Sequence, residues 1–189
     1  MLKPQDVLVA VYLTLHEAPT FSSPTTPSPP LGHGPSFGAG NWTYPSLAAA
    51  LGLSASEAHA CVRRAQESGL YDAHGRRVRK PQLLEFLVHG VRYAYPVVRG
   101  ALTRGVPTAH GAAPLRETIL AGANDTIPVW PDPEGEARGE AWPPLYPSVP
   151  SAARRDPALY EALALVDAIR GGRTRARALA IEELKRRIA

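Results

Sequence analysis

The stretch Leu51-Gly52-Leu53-Ser54-Ala55-Ser56-Glu57-Ala58 constrains this chain more than any other. Ser54 stands three residues before Glu57, the spacing of a capping box that opens a helix. Behind it Ala58, Cys61, Val62 and Ala65 recur at i, i+3, i+4 and i+7, which makes one apolar face. Ahead of it, Tyr44 to Leu51 reads as a short Ala-rich helix that Gly52 stops. Glycine takes the left-handed backbone that a sharp exit from a helix requires. The small residues Ala48, Ala49 and Ala50 let a second helix approach closely. Two helices joined by so short a turn cross steeply and bury their facing sides against each other.

Around this pair the chain punctuates itself with proline and glycine. Residues 4–16 carry Val7, Leu8, Val11 and Leu15 at helical spacing behind Pro4, which suits a first helical turn. Residues 18–41 hold six Pro and four Gly without any period and read as a long exposed loop. Its Gly32-His33-Gly34 and Gly38-Ala39-Gly40 are not a nucleotide loop: no strand precedes them and no Gly-Lys-Ser/Thr follows. After Gly69, Leu70 and Tyr71 start a strand, Asp72 to Gly75 turn, and Arg76 to Arg79 return. Pro81 to His89 predicts a further helix. From Val91 to Pro147 the helical period lapses; Val91, Tyr93 and Tyr95 alternate as a short strand, and Ile127 to Trp130 predict another. Asp156-Pro157 opens a helix carrying Leu159, Leu163 and Val166, Gly171-Gly172 stop it, and Thr174 caps a last helix with Ala180, Leu184 and Ile188 on one side. The expected fold is therefore mainly α with a small β component. It has three segments: residues 1–90 with the Pro-rich insertion at 18–41, an irregular β-containing segment at 91–150, and a C-terminal helical hairpin at 151–189.

Composition excludes several classes of function. The one Cys makes neither an internal disulfide nor a Cys-rich zinc site. None of the six His stands at metal-ligand spacing, and no Gly-x-Ser-x-Gly appears, so no catalytic residue, metal or cofactor is expected. Cys61 falls on the inward face as a small hydrophobe. Asp125, Asp132, Glu134, Glu136 and Glu140 read as a solvated acidic loop, and Trp130, Trp142, Tyr93, Tyr95 and Tyr146 as core filling. No apolar run reaches the roughly 18 residues of a membrane span. The N-terminus lacks the basic-then-apolar pattern of a signal peptide, so a cytoplasmic protein is expected. The cations cluster. Arg76, Arg77, Arg79 and Lys80 fall within five residues, and Arg63 and Arg64 precede them. A second group, Arg170, Arg173, Arg175 and Arg177, surrounds Gly171-Gly172. Such clusters are the electrostatic footprint of phosphate binding.

Leu47-Ala48, Leu53-Ser54, Arg63-Arg64 and Gly69-Leu70 carry a resemblance. From Trp42 to about His89 the chain resembles the winged helix-turn-helix of MarR-like bacterial regulators. The resemblance implies a transcriptional regulator that binds double-stranded DNA as a homodimer and is not an enzyme. Its recognition helix spans about 54–69 and its basic wing about 70–80. With Ala58, Cys61, Val62 and Ala65 turned inward, Ser56, Glu57, His59, Ala60, Arg63 and Arg64 form the outward set, the early ones toward base edges. Ser54 at the cap and Arg76, Arg77, Arg79 and Lys80 on the wing complete the expected DNA surface. The alternative is an antitoxin-like adaptor that binds a partner protein through residues 151–189.

Overall fold

The structure is a computed structural model that describes residues 1–17, 42–119 and 126–188. The Pro-rich insertion at 18–41 and Asp125 lie outside the described residues. Helix α1 (Pro4–Leu15) is followed by α2 (Tyr44–Leu51) and α3 (Ala55–Glu67). A two-stranded antiparallel hairpin comes next, β1 (Tyr71–Asp72) with β2 (Arg77–Val78), in the register Tyr71 to Val78. Both the helix pair and the hairpin fall where turn and capping chemistry predict them.

Helix α4 (Lys80–Glu85) runs on through a π turn (Phe86–Gly90) into α5 (Val91–Ala94). The strand expected at Val91, Tyr93 and Tyr95 is thus not formed. Leu83, Leu87 and Val91, four apart, are all completely buried, so the helical repeat continues past His89 and overrides the short alternation.

Strands β3 (Leu102–Pro107), β4 (Pro128–Pro131) and β5 (Ala137–Ala141) close into a three-stranded barrel. β3 pairs antiparallel with both others, and β4 with β5 in parallel. So tight a ring requires glycine at its contacts. A Cβ on Gly105 would lie 2.0 Å from the Trp130 carbonyl oxygen, and one on Gly139 2.1 Å from that of Ile127. A four-residue helix, α6 (Leu115–Thr118), lies between β3 and β4.

The C-terminal part is α7 (Val149–Arg155), α8 (Pro157–Gly171) and α9 (Thr174–Ile188). As the sequence predicts, Asp156 caps α8, its carboxylate accepting the Leu159 N–H at 3.0 Å. Every residue of α8 from Ala162 to Arg170 is buried. α8 packs against α1, α5, α7 and α9, so it is the hub of one continuous core. Burial all round is the pattern of a helix at the centre of a domain. Its two buried charged residues are accommodated by pairing. Asp167 accepts hydrogen bonds from Thr108 Oγ1 (3.0 Å), Trp130 Nε1 (2.5 Å) and Arg170 Nη1 (2.5 Å). Arg170 also donates to the Tyr95 carbonyl at 2.8 Å. Arg170, expected in a surface cluster, is therefore a buried strut, while Arg173 and Arg175 are exposed.

Among the described residues no helix is long and apolar enough to cross a membrane.

Candidate nucleic-acid interface

Helix α3 owes its start to Ser54, whose Oγ accepts the Glu57 N–H at 3.1 Å and sits 3.0 Å from Ser56 Oγ. Gly52 turns the chain between α2 and α3 at φ +66°. The end of α2 is fixed from outside. Ser148 Oγ donates to the Leu51 carbonyl at 2.5 Å, and Arg155 to that of Ala50 at 2.9 Å. Carbonyls at a helix C-terminus lack intrahelical partners, so these donors hold α2 in place.

Ala58, Cys61, Val62 and Ala65 face inward and are buried, as their spacing predicts. On the outward side Ser54, Ser56, His59 and Arg63 are exposed and Ala60 is half-buried. Arg63 makes a loose ion pair with Glu67 at 3.5 Å, its side chain 66% exposed. His59 packs edge-on against Tyr44 of α2, ring centroids 4.9 Å apart.

Arg64 and Glu57, expected in the outward set, are engaged with the protein instead. The Arg64 guanidinium donates to Asp6 Oδ1 at 2.7 Å and Asp6 Oδ2 at 2.9 Å, and to Glu57 Oε1 at 2.6 Å. Asp6 is wholly buried, and it also accepts the Lys3 N–H at the start of α1. Glu57 takes a further hydrogen bond from Gln5 at 3.1 Å. The physical reason is charge: Asp6 enters the core with α1 and draws in the cation within reach. Hydrogen bonds from Arg64 and Gln5 hold the Glu57 carboxyl below its ordinary range, and Asp6 raises the Arg64 guanidinium above its own.

Asp6, Glu57 and Cys61 also form the one group among the described residues whose ligand atoms could hold an ion, all within 4.8 Å of one another. The Arg64 guanidinium lies among them, 3.4 Å from the Cys61 sulfur, and already supplies the countercharge. Burial pushes the Cys61 thiol up, which leaves it protonated and unreactive.

On the hairpin Arg77 and Arg79 are exposed, Arg77 with a loose 3.9 Å pair to Asp72, and Lys80 is half-buried at the start of α4. Arg76 folds back, its guanidinium 5.2 Å from the centre of the Trp42 ring and donating to the Trp42 carbonyl at 3.2 Å. The structure thus leaves Arg63, Arg76, Arg77 and Arg79 exposed, Arg76 lying against Trp42, and withdraws Arg64. Sequence reading missed Tyr44 and Trp42, aromatic side chains that flank this face; their position next to the helix start was the available signal.

No protein-family model matches the chain, nor does any curated protein or solved structure.

Proposed function

We propose that the protein is a transcriptional regulator that binds duplex DNA through a MarR-like winged helix. In this reading α3 enters the major groove and the β1–β2 hairpin lies along the backbone as the wing. The observation that carries it is the free outward face of α3. Ser54, Ser56, His59 and Arg63 are exposed along the helix whose opposite face is in the core, and the hairpin that follows presents Arg77 and Arg79. A recognition helix needs this division between an apolar and a polar side. Ser56 and His59, near the helix start, take the base-reading role. Arg63 reaches a base or phosphate, and Arg77 and Arg79 neutralise phosphates. Two copies on a palindrome would set their α3 helices one helical turn apart.

Fluorescence anisotropy with duplex DNA from the protein's own promoter tests this. Arg63→Ala is expected to weaken binding in a sequence-dependent way. Arg77→Ala is expected to weaken it on all sequences and to flatten the log-log salt slope by about 0.9. Absence of binding at low salt, or affinity indifferent to salt, overturns the proposal.

A further inference from the structure

A second surface stands apart from α3 and its hairpin. β3, β4 and β5 pair in a closed ring, so no strand offers a free edge, and a partner must meet outward side chains. Along β3 and β5 the register sets Leu102 opposite Glu140 and Arg104 opposite Arg138. Side chains alternate along a strand, so these four share one side of the sheet. Leu102 is 58% exposed, and Val98, just ahead of the strand, is 73% exposed. Large apolar side chains standing in water beside a strand gain nothing for the free protein.

The face carries Glu140 as well as Arg104 and Arg138, with Glu136 beside them, yet its two arginines stand without an ion-pair partner among the described residues. Like charges directly opposite each other across an antiparallel pair are destabilising. Arg104 and Arg138 hold such positions, and neither makes an ion pair among the described residues. Arg104 is steadied by the backbone, its Nε donating to the Gly135 carbonyl at 2.6 Å. Glu136 shares the shallow groove they line without pairing with either. Glu140 is occupied, accepting from Trp142 Nε1 at 2.8 Å and lying 3.8 Å from Arg99. Arg99 in turn donates to the Gly171 carbonyl at 3.1 Å.

We propose that the outward face of β3 and β5, together with Val98, docks an acidic segment of another protein that also carries apolar anchors. Carboxylates on the partner relieve the arginine pair, and its apolar side chains cover Leu102 and Val98. A nucleic acid backbone would satisfy the arginines and leave the apolar side chains bare.

The test uses the full chain and short fluorescein-labelled peptides in anisotropy titrations at low ionic strength. One peptide alternates Glu with Leu, a second has Ser for Leu, and a third has Lys for Glu. The Glu/Leu peptide is expected to bind, with both others weaker by about tenfold or more. Arg138→Glu is expected to cost about tenfold and to bring on binding of the Lys/Leu peptide; Leu102→Ser is expected to cost a similar factor. Both positions are exposed, and circular dichroism melts check that the fold persists. Amide shifts of residues 98–104 and 136–140 on titrating the unmodified protein locate the contact without any variant. The proposal falls if the peptides do not bind, if all three bind alike, if neither variant changes the affinity, or if those amides stay still. It falls equally if duplex DNA moves the same amides, or if the protein forms a dimer that Arg138→Glu or Leu102→Ser abolishes.

Discussion

Arg63 and Arg64 are neighbours of one residue type with opposite roles. Helical geometry separates them by about 100° around α3, and the side toward α1 carries Asp6. Removing the Arg64 guanidinium leaves Asp6 buried without a counterion. Arg64→Ala is therefore expected to destabilise the fold by about 3 kcal/mol, read as a lower urea midpoint, and Asp6→Asn in the same chain to restore part of the loss. An unchanged midpoint would contradict this reading of the pair. Glu57 adds a pH dependence of known sign. Its carboxyl titrates below its ordinary 4.5 in the folded state. Its contribution is thus complete above that value and is lost as pH falls through the lower folded one. Glu57→Gln is expected to flatten this acid limb in melts taken across the acid range, and an identical limb in the variant would exclude Glu57 as its source. None of this is legible in a local window, because Asp6 and Arg64 are 58 residues apart. What could be read locally was that Ala58, Cys61, Val62 and Ala65 share a face.

At the scale of elements, the parts read correctly are those whose physics is local. Caps at Ser54 and Asp156, the stop at Gly52 and the turn at Asp72 to Gly75 each act within a few residues. β3 and β5 escaped the sequence because Leu-Thr-Arg-Gly-Val-Pro and Ala-Arg-Gly-Glu-Ala carry no apolar alternation. They are strands because they pair with each other and with β4. Their glycines mark the closest approaches, a reason visible only once the ring is closed. Gly139→Ala places a methyl against the Ile127 carbonyl and is expected to cost about 3 kcal/mol, read as a lowered melting temperature. A melt equal to that of the unaltered protein would mean the ring has slack. The helix beyond His89 was mistaken for a strand for a related reason. Three residues of apparent alternation are weaker than a burial pattern that began at Leu83.

Across the whole molecule α8 ties the segments together. It packs on α1, ahead of α2 and α3, and on α5 after the hairpin. Through Asp167 it holds Trp130 of the barrel. The apolar stripe of α9, with Ala180, Leu184 and Ile188 completely buried, is likewise used inside the protein. A chain ending at Pro150 would bare the α8-facing sides of α1 and α5. It is expected to lose cooperative thermal unfolding, and a sigmoidal melt for that fragment would show that the first 150 residues stand alone. The C-terminal hairpin is thus a structural support for the α3 face, and deleting it tests folding before it tests binding. By itself the amino-acid order determined where α1, α2, α3, α8 and α9 begin and end and which apolar side of α3 and α9 turns inward, because caps, glycines and periodicity act over one or two turns. Only the tertiary structure decided which arginines stay in water, that three glycine-bearing strands close a ring, and that the hairpin helix is the centre. Those outcomes depend on buried charges and backbone contacts between residues far apart in the chain.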